Sequence, residues 1–269
     1  MSLISAVTAA AQFGSPPPRG PAGRTATAPH VRVELLASPK PVAGTLWFGI
    51  RFELDDGWHL YWQNPGDSGG PPEADWQAPP HMRVGAFEWP SPERIDVAGL
   101  VNYGYHGTVV LPVPVTITAG APATGTIAAS LRWMVCKDMC VGGKGRVEIA
   151  LPLAGPSLAE APAWEAAIAG ARALVPKPAP AAWTARAASA RDTFTVVVRT
   201  GRREDRAVFF PLQVSQVNDS APQRVTPLPD GVSIVLRKSD QLTSDPPALK
   251  GVLTLSGSRS FVVSAPVAR

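Results

Sequence analysis

From Val31 onwards the apolar residues of this chain fall on every second position, in runs short enough and broken often enough by proline and glycine to be strands. Val31, Val33 and Leu35 alternate with Arg32 and Glu34. Leu46, Phe48, Ile50, Phe52 and Leu54 share one parity while Arg51 and Glu53 take the other. Val109, Leu111, Val113, Val115 and Ile117 repeat the pattern, and here Pro112 and Pro114 sit on the opposite parity. Both missing N–H donors then lie along one side of the strand, which predicts an edge or bulged strand. The 30 Pro and 24 Gly among 269 residues supply turns between such runs, so the chain is expected to be all-β.

The composition shifts at Gly155. Residues 157–175 are Ala-rich, with Glu160, Glu165 and Arg172, and predict a short helix starting near Pro162, since proline is tolerated only in a first turn. Pro176-Lys177-Pro178-Ala179-Pro180 ends it. This sets the expected organisation: a domain over 30–155, a helical and Pro-rich linker over 156–182, and a second β-sandwich over 183–269. Short β patterns at 194–199, 207–210, 232–236, 252–255 and 261–263 support that second domain, which has neither Cys nor His. Residues 1–29 read as a lead-in. Met1 to Gln12 is apolar and ends in Ala9-Ala10-Ala11, the mark either of a truncated export signal or of a disordered start, and 14–30 reads as flexible.

The formal net charge is +4, from 25 Lys+Arg and 21 Asp+Glu, but the bases are scattered and do not alternate with aromatics, so no nucleic-acid partner is expected. No stretch reaches 18 apolar residues free of Pro, Gly and charge, so no membrane span is expected.

Chemistry concentrates in Cys136 and Cys140, the only cysteines of the chain. Leu131, Trp133 and Val135 alternate with Arg132, Met134 and Cys136. Gly142-Gly143-Lys144-Gly145 follows as a turn signal, before Val147, Ile149 and Leu151 alternate again. The pair therefore sits at a strand-turn-strand corner. A disulfide here would close a loop of five residues, worth roughly 2 kcal/mol in the chain-entropy model against about 4.7 for a 100-residue loop. A chain of this length has no need of so weak a staple, and short exposed disulfides are the labile ones. The residues thus favour a redox-active dithiol, with two other readings open. One is an inert hairpin clip. The other is a Cu(I) site built from Cys136, Cys140 and Met139 with His106 or His59. Trp89, on the stiff segment Phe87-Glu88-Trp89-Pro90-Ser91-Pro92, is placed either to cover a sulfur or to plug the core.

Four motifs stand in order: Gly57-Trp-His-Leu-Tyr-Trp-Gln-Asn-Pro-Gly-Asp-Ser-Gly69, Trp89-Pro-Ser-Pro-Glu-Arg94, Val101-Asn-Tyr-Gly-Tyr105 and Trp133-x-x-Cys136-Lys-x-x-Cys140. Over about residues 30 to 155 the chain resembles the periplasmic N-terminal domain of the thiol:disulfide interchange protein DsbD family, nearest its ScsB-like branch. The resemblance implies two immunoglobulin-like β-sandwich domains, the second matching that branch's extra β domain more loosely. It implies a periplasmic protein-disulfide reductase domain without a cofactor. Such a domain takes electrons from a transmembrane reductase domain and passes them to thioredoxin-fold partners such as disulfide isomerases. Cys140 would form the mixed disulfide and Cys136 would resolve it. Trp89, Tyr103 and Tyr105 would shield the pair.

Overall fold

The computed structural model describes residues 23–38, 40, 45–152 and 156–268, so the Met1–Gln12 segment lies outside the described residues. Among the described residues, strands β1 (Thr25–Ala28), β2 (Val31–Ala37), β3 (Thr45–Leu54), β4 (His59–Gly66), β5 (Glu73–Gln77), β6 (Met82–Val84), β7 (Glu93–Val97), β8 (Leu100–His106), β9 (Thr108–Ile117), β10 (Gly125–Cys136) and β11 (Cys140–Leu151) precede helix α1 (Pro156–Ala173). Then follow β12 (Lys177–Pro178), β13 (Thr184–Ser189), β14 (Thr193–Arg199), β15 (Ala207–Pro211), β16 (Arg224–Leu228), β17 (Gly231–Arg237), β18 (Ala248–Leu255) and β19 (Arg259–Ala268). The fold is mostly β, as the alternation predicts.

The first eleven strands make two sheets, ordered β1-β2-β3-β9-β6 and β11-β10-β4-β8-β7, with β5 also pairing β10. Period-2 side chains turn Val33, Leu35, Phe48, Ile50, Phe52 and Leu111 of the first sheet, and Leu60, Trp62, Tyr103, Leu131 and Val135 of the second, into one core. Eight further strands form a third sheet, ordered β15-β18-β19-β13-β14-β17-β16 with β12 beside β19, over its own cluster around Phe194, Phe209, Ile234 and Leu253.

Four local expectations are corrected. The lead-in is not flexible throughout: Thr25–Ala28 pairs with Val31–Glu34, and His30, at φ 66°, turns between them with its ring stacked 3.8 Å from Trp58. The helix begins at Pro156, not near Pro162, which stands on its solvent side. It is also more than a connector. Ala161, Trp164, Ile168 and Ala171 form a buried stripe that packs on the outer face of the first sheet, where Gly49 leaves room for Ile168. Finally, Gly142, Gly143 and Gly145 are strand residues of β11, and the turn is Lys137–Met139 between the cysteines. Gly143 and Gly145 leave room for the Trp133 indole: a Cβ on Gly143 would come within 2.3 Å of its Nε1, and one on Gly145 within 3.2 Å of its ring.

Strand β9 meets its proline constraint in a specific way. It pairs fully with β3, but on its other side β6 covers only Val115–Ile117. Beyond that the Pro114 and Pro112 carbonyls accept from Gly85 N–H and Glu88 N–H, both at 2.8 Å, so this side takes hydrogen bonds without giving any at the prolines.

The two cores meet at Phe210, which joins the N-terminal core edge-on to Trp62 (6.2 Å between centroids) and Tyr103 (5.2 Å). Around it Asn64 Nδ2 donates to the Pro211 carbonyl (2.8 Å), Tyr103 Oη to Asp219 (2.8 Å) and Arg94 to the Asp219 carbonyl (2.9 Å). Phe210→Ala should therefore cost about 3–5 kcal/mol, read as a fall in urea unfolding free energy. A loss under about 1 kcal/mol would mean that the units do not depend on this contact.

Candidate active site

Strands β10 and β11 pair along their whole length and close on Cys136↔Cys140. The two sulfurs are bonded, with 4.1 Å between the Cα atoms. Their settings differ sharply: Cys136 is 2% exposed, whereas Cys140 lies open on the hairpin tip beside Met139, itself 67% exposed. Register explains the difference. Cys136 pairs with His59 of β4, so it is covered by the neighbouring strand, while β11 is the outer strand of its sheet.

The same register brings a tyrosine to the sulfurs. In β4, Leu60 and Trp62 point into the core, which leaves His59 and Tyr61 on the face that carries Cys136. The Tyr61 hydroxyl donates to Cys136 Sγ at 2.8 Å and stands 3.6 Å from Cys140 Sγ. Burial raises the Tyr61 pKa, with the neighbouring Ser68 hydroxyl acting the other way, so the phenol keeps the proton it donates. The 64–69 turn closes over this tyrosine. Gly69, at φ 84°, lies so near that a Cβ there would fall about 2.0 Å from the ring carbon bearing the hydroxyl. Only glycine fits.

His59 is 1% exposed and rests edge-on to Tyr61 (5.0 Å) and His106 (6.0 Å), with Nε2 3.3 Å from Asn102 Nδ2. Burial, and secondarily the charge of His106, holds its pKa down to about 4, so the ring is neutral at physiological pH. His106 pairs with Glu93 at 3.1 Å on the surface.

The structure thus brings together Cys136, Cys140, His59 and Tyr61, and Tyr61 is the residue that sequence reasoning passed over. Tyr103 and Tyr105 lie on the core face of β8, opposite the sulfurs, and their hydroxyls bond Asp219 and the Pro90 carbonyl (2.7 Å). Trp89 packs edge-on to Phe87 against the N-terminal core. The aromatic against the sulfurs is Tyr61. For the Cu(I) reading, the bonded sulfurs offer no thiolate, and among the described residues no three His, Cys, Asp or Glu side chains gather at ligand distance. Lys137 reaches back to the Asp56 carbonyl (3.3 Å) across Gly57.

A β-sandwich whose hairpin tip presents one open and one buried half of a disulfide is a redox-capable cysteine-pair domain. Residues 31–152 match the family model for the N-terminal part of thiol:disulfide interchange protein DsbD. The N-terminal periplasmic domain of ScsB from Proteus mirabilis shares the fold, with a TM-score of 0.71 at 21% identity over 91% of this chain and 97% of that one. The reduced N-terminal domain of DsbD from Neisseria meningitidis matches at 17% identity and TM-score 0.28, over 46% of this chain and 86% of that one. No curated protein matches the chain in sequence. No helix among the described residues is long and apolar enough to cross a membrane.

The buried His59 sets a pH dependence. Unfolded, it binds a proton below about 6.5; folded, it does so only below about 4. Between these values the unfolded chain holds more protons, so this residue's contribution to stability falls as pH falls through that window. Asp219, whose pKa burial pushes up to about 6, acts in the opposite sense, so the informative quantity is a difference. The stability gap between the parent and His59→Gln should narrow between pH 7 and pH 4 in urea unfolding of the oxidised protein. An unchanged gap would show that His59 takes up its proton as readily in the fold as in the unfolded chain.

Proposed function

We propose that the chain carries a periplasmic thiol–disulfide exchange domain, a protein-disulfide reductase that relays two electrons through Cys136 and Cys140. The observation that carries this reading is the asymmetry of the pair: an open Cys140 beside a buried Cys136 that accepts the Tyr61 hydrogen bond. A partner can reach only the open sulfur.

The steps follow from thiolate chemistry. In the reduced domain the Cys140 thiolate attacks one sulfur of a partner's disulfide. That bond breaks, the mixed disulfide forms, and the partner's second sulfur leaves as a thiolate and takes up a proton. The Cys136 thiolate then attacks Cys140 Sγ. The mixed disulfide breaks, the partner departs as a dithiol, and the domain returns to the bonded pair. Recharging runs in reverse: one thiolate of a dithiol reductant attacks Cys140 Sγ, and Cys136 leaves as a thiolate that accepts the Tyr61 hydrogen bond. The reductant's second thiolate then attacks its own sulfur in the mixed disulfide, releasing Cys140 as a thiolate and the reductant as a disulfide. Thioredoxin-fold proteins, disulfide isomerases or ScsC-like proteins among them, are the partners this chemistry suits. A transmembrane reductase domain of the same family is the reductant. In this reading the redox-active domain runs through helix α1, and the residues from 183 form a second β-sandwich domain.

Cys140→Ala should abolish electron transfer to a thioredoxin-fold acceptor, and Cys136→Ala should trap it as a mixed disulfide on a non-reducing gel. Turnover by both single variants would end the relay reading. The pair's equilibrium potential should fall between those of thioredoxin and the isomerases, about −270 to −180 mV; a value below about −300 mV would assign an inert clip.

A further inference from the structure

The C-terminal unit contributes no sulfur and no histidine, yet it holds both ends of the turn that lies on Tyr61. At one end Asn64, fully buried, donates to the Pro211 carbonyl at 2.8 Å while its Oδ1 accepts from Gly66 N–H at 3.1 Å. At the other end the Asp67 carboxylate accepts from the Ser220 hydroxyl and from Val101 N–H at 2.8 Å. Ser220 also donates to the Gly99 carbonyl at 3.0 Å. Between these anchors Ser68 donates to Asn102 at 2.9 Å, and Gly69 packs against the phenol ring. Two contacts from the C-terminal unit therefore hold a turn that packs against the tyrosine bonded to Cys136.

We propose that the C-terminal unit is a positioning element of the redox site: through the Pro211 carbonyl and Ser220 it holds the 64–69 turn against Tyr61, and so fixes the hydrogen bond that Tyr61 gives to Cys136. Asn64, Asp67 and Ser220 are positioning residues, since none touches a sulfur. The consequence lies in the reduced state. A hydroxyl held at the sulfur stabilises the Cys136 thiolate, and whatever stabilises the reduced form makes the disulfide easier to reduce. A turn freed from its anchors lets the phenol drift, and the pair becomes harder to reduce. This inference rests on the reading of Cys136–Cys140 as an exchanging pair.

The test is the equilibrium constant for reduction of the oxidised chain by glutathione, at about pH 8.5, where an ordinary thiol is half ionised. Tyr61→Phe should lower it about threefold to tenfold, and Ser220→Ala about twofold to fivefold in the same direction. The double variant decides the route: if Ser220 acts through the tyrosine, Ser220→Ala has no further effect in the Tyr61→Phe background. Ser220 is only half-buried, and the thermal midpoint of each variant confirms the fold. An unchanged constant in Ser220→Ala, an unchanged constant in Tyr61→Phe, or a shift that persists in the double variant would each overturn the proposal. Because no partner protein is present, a pair that glutathione cannot reduce at all counts against the exchange reading. A reducible pair indifferent to Ser220 counts against this inference alone.

Discussion

Strand β4 is buried on both faces over His59–Trp62, and the architecture depends on that double burial. One parity feeds Leu60 and Trp62 to the sandwich core, and the other supplies His59 and Tyr61 to the cysteines. Four consecutive residues thus join the part of the molecule that supplies stability to the part that supplies chemistry. Neither set can shift along the strand without the other, because a one-residue slip would exchange the faces. Gly104 of β8 belongs to the same constraint. It sits opposite Tyr61, where a Cβ would come within 2.1 Å of the Leu60 carbonyl oxygen, so its lack of a side chain lets the two strands close behind the site.

The C-terminal unit uses the same strand from its far end. Phe210 reaches the ring of Trp62, and Pro211 accepts from Asn64, two residues further on. A single strand therefore carries contacts with the disulfide at its start and with the C-terminal unit at its finish. The register shift between Tyr61 and Gly66 separates the two sets and frees the backbone to turn back over the tyrosine. Asn64 is fully buried, and its amide is satisfied by donating to Pro211 and accepting from Gly66, which makes the junction specific in direction as well as apolar.

What the sequence disclosed, and what it withheld, divides along one physical line. Strands with clean alternation, such as 46–54 and 109–117, were legible because period 2 is a local property. The cysteine hairpin was legible because two thiols four residues apart are rare enough to organise a reading. Tyr61 was hidden, since its parity within β4 shows only that it leaves the core; its meeting with Cys136 depends on the β4–β10 register, which no local pattern encodes. The glycines after Cys140 misled for a related reason. Gly142-Gly143 signals a turn when read alone, whereas here Gly143 makes room for the indole of Trp133, its partner on the paired strand. The Thr25–Ala28 strand was obscured by the Pro- and Gly-rich residues around it, and its partner lies just across the His30 turn.

The proline side of β9 has a consequence for how the molecule lives beside its own copies. Along Pro112 and Pro114 the strand offers acceptors and withholds donors, and the 85–88 segment occupies those acceptors. An incoming strand from another molecule would find no alternating ladder to extend at the prolines, so growth of the sheet from chain to chain stops along this stretch. Two ring closures in the backbone thereby give this flank of the sandwich a chemical end, and resistance to strand-wise aggregation is written into the main chain itself.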